Sequence, residues 1–170
     1  VIMKNGRDIT SSLKLSGVTT QQWEGYYMHK VTVTGLSADT TYTYKVGDGT
    51  SWSKTGTFTT DDGDSNVNIL VYADVQASSL ENFLVGARAV NSALDSSAAP
   101  FDFMINLGDF TNDSTNEEWN AYAEAFDGIC LDNTLAPVSG NHDGLGVSDW
   151  FNNMFNLDTT ESVETKDGVN

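Results

Sequence analysis

The sequence predicts an α/β domain with parallel strands, preceded by a small, incomplete all-β sandwich, and three observations predict it. Three short apolar runs, at residues 67–77, 101–109 and 135–143, each stop on side chains of metal-ligand type. Between them lie two stretches whose apolar residues recur at helical spacing. The first sixty residues are instead dominated by Thr, Val and Tyr in alternation, and an acidic stretch separates the two regimes. The expected division is a β module over 1–60, a linker over 61–66 and the first part of an α/β domain over 67–170.

In the β module, Val31 and Val33 alternate with threonines, as do Tyr42, Tyr44 and Val46 with Thr43 and Lys45. A period of two predicts strands with one buried face each. Gly47, Asp48 and Gly49 supply a hairpin turn. Leu36 stands six residues ahead of Tyr42, which opens the next strand. That arrangement resembles the tyrosine corner of fibronectin type III modules, in which the Tyr hydroxyl reaches back to the connecting loop. Trp52 and Phe58 are expected in the same core. The strands ahead of Leu36 are too few for a whole module, so its first strands are expected outside this sequence. His29, on a strand with no other ligand type beside it, reads as solvated or hydrogen-bonded.

Residues 61–66 read Asp, Asp, Gly, Asp, Ser, Asn, which suits a linker and lacks the distal Glu of an EF-hand. Beyond them, the run at 67–77 reads as a buried parallel strand that delivers Asp74 and Gln76 at its carboxyl end. Leu80, Phe83, Leu84, Ala87, Val90 and Leu94 then mark one face of a helix, with Pro100 as the break. After Asp109, the residues Ser114, Thr115, Asn116 and Glu117 have the form of a capping box. Trp119, Tyr122, Ala123 and Phe126 make the apolar face that follows. A third strand leads to Gly140, and Trp150, Phe151, Met154 and Phe155 predict a short last helix.

Twenty-four acidic residues against eight basic ones give a net charge of −16. A surface of that sign repels nucleic acid and anionic membranes and favours cations. The 39% hydrophobic and 11% aromatic content suffices for a core. No run is long enough to span a bilayer. Cys130, the single cysteine, reads as a small buried apolar residue. The chain begins with Val and stops at Asp167, Gly168, Val169 and Asn170 without an element to close on, so it is read as a piece of a longer protein.

The order strand, helix, strand, helix, strand implies a parallel sheet with right-handed crossovers, and so three loops opening on one edge. Asp74 and Gln76, Asp109, and Asn141 with His142 then converge. Carboxylate, amide and imidazole on one edge are what a metal site needs. Taken singly, each motif has a plain structural reading as a helix cap, a strand end or a turn.

Asp74 with Gln76, Gly108 with Asp109, and Gly140, Asn141, His142 and Asp143, in this order and spacing, resemble the first three motifs of the calcineurin-like metallophosphoesterases. With a β-sandwich in front, the chain is similar to the purple-acid-phosphatase-like branch. The resemblance implies two metal ions, Fe, Zn or Mn. Asp74 and Gln76 would bind the first, Asp109 would bridge both, and Asn141 would bind the second. His142 would face the phosphate as catalytic residue, with Asp143 orienting its ring. Two cations sharing a ligand bind phosphate and make hydroxide available near neutral pH.

Three departures qualify the likeness. Gln76 stands where many relatives have His, and a neutral amide is a weaker donor. Asn112 stands where purple acid phosphatases have Tyr, so no purple charge-transfer colour is expected. The family's downstream histidines do not occur in these 170 residues, whose only histidines are His29 and His142. The expected function is metal-dependent hydrolysis of a phosphate ester, outside the cell or on its surface, the piece alone being inactive. The alternative is a surface binding or adhesion protein that keeps the scaffold without catalysis.

Overall fold

A computed structural model of the chain describes residues 1–23, 26–144 and 150–155. The last fifteen residues of the expected second domain lie outside them, as does the Asp167 to Asn170 ending.

The first part is all β. Strands β1 (Ile2–Lys4), β2 (Arg7–Asp8), β5 (Thr41–Tyr44) and β6 (Gly56–Thr59) form one antiparallel sheet in the order β2-β1-β5-β6. Strands β3 (Lys14–Trp23) and β4 (Tyr26–Thr34) pair separately as a long antiparallel ladder. The corner expected at Tyr42 is present: the ring is buried and its hydroxyl accepts from the Ser37 N–H at 2.9 Å. Tyr42 lies opposite Phe58 in the register, with ring centroids 5.5 Å apart. The turn at 47–49 also forms, with Asp48 Oδ1 accepting from the N–H groups of Thr50 and Ser51 and Gly49 at φ 95°.

Two expectations for this region are corrected. Trp52 is exposed and not in the core with Phe58. Its ring lies over Gly47, where a Cβ would come within 2.8 Å of it. Val31 is 55% exposed, so β4 does not bury the face that alternation predicted. The register puts Leu15 opposite Val33 and Gly17 opposite Val31 on that face, and both Leu15 and Val31 stand open. His29 is exposed, and its Nδ1 shares a hydrogen bond with Thr19 Oγ1 at 2.9 Å, as its surroundings in sequence suggested.

Residues 61–66 form no strand or helix and are exposed. Each of their aspartates accepts from the N–H two residues on, Asp61 from Gly63, Asp62 from Asp64 and Asp64 from Asn66. This is the local hydrogen bonding that lets Asp compete with regular structure.

The second part is a three-stranded parallel sheet, β7 (Ile69–Tyr72), β8 (Phe103–Asn106) and β9 (Leu135–Pro137), with β8 in the middle. Helices α1 (Leu80–Ser96) and α2 (Asn116–Asp132) make the crossovers, and the short α3 (Trp150–Phe155) follows. The helices bury the sheet face that carries Tyr72, Met104 and Asn106, through a cluster that includes Phe83, Phe110, Trp119, Tyr122 and Phe126. On β7, Ile69 and Val71 point the other way and are exposed. The buried parallel strand expected there is therefore covered on one face by the described elements. Helical periodicity was right in outline, but Leu84 and Ala123 fall outside the buried stripes, and Ile129 extends the second.

The capping box lies one residue later than the sequence pattern placed it. Thr115 is the N-cap, its Oγ1 accepting from Glu118, whose carboxylate returns to the Thr115 N–H. Ser114 takes φ 54° and its hydroxyl accepts from the Trp119 indole N–H. The β sheet docks on the last turn of α2. Tyr44 donates its hydroxyl hydrogen to the Leu131 carbonyl at 2.9 Å, and Asp132 accepts from the Thr57 N–H at 2.8 Å. Gly56 sits in that contact, where a Cβ would come within 2.6 Å of the Leu131 oxygen.

Candidate metal and phosphate site

Three loops leave the carboxyl ends of β7, β8 and β9, and they are built around two aspartates with left-handed backbone. Asp74 has φ 56° and Asp109 has φ 55°. Asp tolerates this region better than most residues, at a cost of about 1–2 kcal/mol, so surrounding contacts must hold it.

Those contacts run from loop to loop. The Asp74 N–H donates to the Gly108 carbonyl at 3.1 Å, tying the first loop to the second. Asn106 Oδ1, fully buried at the end of β8, accepts from Gly108 and shapes the turn into Asp109. Phe110 is fully buried and anchors the following residue in the core, with its ring 6.0 Å from Trp119 and 5.2 Å from Tyr122. The third loop presses against the second so closely that glycine is required twice. A Cβ on Gly108 would come within 2.7 Å of the Gly140 Cα, and one on Gly140 would overlap Asp109 itself.

His142 and Asp143 divide their tasks in a way the sequence did not predict. The expectation that Asp143 orients the imidazole is corrected: its carboxylate turns inward. It is fully buried and accepts from the N–H groups of Phe110 at 2.8 Å, Thr111 at 3.1 Å and Gly140 at 2.8 Å. The partner of the imidazole is the Asn112 carbonyl, 2.6 Å from Nδ1. A carbonyl only accepts, so Nδ1 carries the proton and Nε2 is left as the other working nitrogen. The same bond holds the imidazole pKa above its ordinary value, helped by the nearby charges of Asp109, Asp113 and Asp143 and opposed by desolvation. The His142 backbone N–H donates to Asp109 Oδ1 at 3.1 Å.

The structure thus brings Asp74, Gln76, Asp109 and His142 into one bonded set of loops, with Asn141 exposed beside His142. One end of the Gln76 side-chain amide lies 3.2 Å from both the Asp109 and Asp74 carbonyls, and a nitrogen in that place would donate to both. Sequence reasoning missed Asn106, Phe110 and Thr111, and saw Asn112 only as a replaced tyrosine. The one available signal was that an Asn and a Phe flank Gly108 and Asp109.

Two carboxylates with an amide oxygen on neighbouring loops suit a hard divalent ion. Among the described residues, no three His, Cys, Asp or Glu side chains gather closely enough to hold a metal ion. The described donors do not by themselves make up a metal site.

Comparison with known proteins bears on the β part. Residues 4–60 match the family model described as the purple acid phosphatase N-terminal domain. The match spans β2 to β6 and ends before the three loops. No curated protein matches the chain. Among the described residues, no helix is long and apolar enough to cross a membrane.

Proposed function

We propose that this chain is part of a metal-dependent phosphate-ester hydrolase, with its active site on the loops after β7, β8 and β9. The observation that supports this reading is the pairing of Asp74 and Asp109, both in left-handed backbone at the ends of adjacent parallel strands, with the Asp74 N–H on the Gly108 carbonyl. The match over residues 4–60 is consistent with it. Asp74, Asp109 and Asn141 would hold the ions. When bound, such ions supply hydroxide near neutral pH and positive charge for the phosphate oxygens.

The chain's own residues do the rest. Asp109 is held in place by the His142 N–H and by Phe110 in the core. His142, with Nδ1 committed to Asn112, presents Nε2 to stabilise the phosphate or protonate the leaving oxygen. Asp143 fixes the peptide planes at Phe110, Thr111 and Gly140 beside them. The acidic surface and the β module, which carries the match over residues 4–60, are consistent with a protein outside the cell or on its surface.

The test is elemental analysis of the full-length protein together with hydrolysis of p-nitrophenyl phosphate and its bis-ester in added Mn, Zn or Fe. Near two metals per chain with metal-dependent turnover supports the reading. Absence of both metal and turnover would replace it with a binding protein on the same scaffold.

A further inference from the structure

We propose that Gln76 is a positioning residue that clamps the two aspartate loops together through its amide nitrogen, and does not serve as a metal ligand. The consequence for metal binding rests on the function proposed above; the clamp does not.

A primary amide has two N–H hydrogens, and Gln76 faces two acceptors, the Asp74 and Asp109 carbonyls, both at 3.2 Å. An oxygen in that place would meet two acceptors and no donor, which fixes the amide orientation. The two carbonyls belong to the residues at φ 56° and 55°, the conformations that need outside support. Asp74 is thus held at both of its backbone groups, its N–H by Gly108 and its carbonyl by Gln76. Gln76 is half-buried, and Val75 before it joins the core beside Gly86, where a Cβ would lie 3.6 Å from the valine Cβ. The amide is therefore presented from a packed base.

Few side chains can do this. Glu offers no donor at neutral pH, Asn is one methylene shorter, and a His ring nitrogen offers at most one hydrogen. The ligand and clamp readings consequently make opposite predictions for Gln76→Glu. A ligand improves when its oxygen gains a charge, whereas a clamp fails when its donors become an anion facing two carbonyl oxygens.

The experiment uses the full-length protein and Mn2+ alone as probe, titrated calorimetrically into wild type, Gln76→Glu and Gln76→Ala at a temperature where all three are folded. The clamp predicts that both variants bind Mn2+ about tenfold or more weakly than wild type. Equal or tighter binding by Gln76→Glu would overturn it. Exchange of the Gln76 side-chain amide hydrogens is followed by NMR in the metal-free wild type. Slow exchange supports the clamp and free exchange overturns it, even if wild type binds no Mn2+ and the hydrolase reading falls.

Discussion

Phe110 donates its backbone N–H to Asp143 Oδ1 across 2.8 Å, and the two groups are fully buried although they belong to different loops. Through Thr111 and Gly140, the same carboxylate gathers three peptide planes around Asp109. It is the fastening of the second loop to the third.

Asp143→Ala should therefore act through stability. It leaves three inward N–H groups without their acceptor, which costs about 3 kcal/mol or more. Thermal melting of the full-length protein should show Tm lowered by roughly 10 °C. An unchanged Tm would show that the loops are fastened elsewhere.

The tyrosine corner gives a smaller and separate effect. Tyr42→Phe keeps the buried ring against Phe58 and removes only the acceptor for the Ser37 N–H. The expected loss is about 1 kcal/mol, measurable as a shift in urea midpoint at constant slope.

Burial pushes the Cys130 thiol up to about 11, and it raises the hydroxyls of Tyr72 and Tyr122 in the same core. Folded values above the unfolded ones mean that stability is complete below about pH 8.5 and falls as pH rises toward 11. Urea midpoints should decline as the pH rises above 8.5, and the thiol should react slowly with aromatic disulfides at pH 8. A level midpoint through pH 10.5 would contradict the burial of these groups.

The sequence made the topology legible because parallel strands, crossover helices and their terminal Gly–Asp and Gly–Asn–His–Asp turns follow local periodicity and turn chemistry. Asp74, Gln76, Asp109 and His142 were singled out that way, and the clamp proposed above gives Gln76 a different use. What stayed hidden depended on tertiary direction. Whether Asp143 meets an imidazole or backbone N–H groups is set by the peptide planes of a loop more than thirty residues away. The choice between Ser114 and Thr115 as cap turned on which of two adjacent glutamates faced the helix start. Alternation in β4 identified a strand without showing that its Val31 face stands open.

The most direct measurement is turnover of p-nitrophenyl phosphate or its bis-ester by full-length Asp109→Asn beside wild type. The amide oxygen can still accept from the His142 N–H, so the fold should survive while the charge proposed to hold the ions is lost. The account predicts a fall in kcat/KM of about a thousandfold or more with an unchanged melting curve. Wild-type turnover in that variant would contradict it.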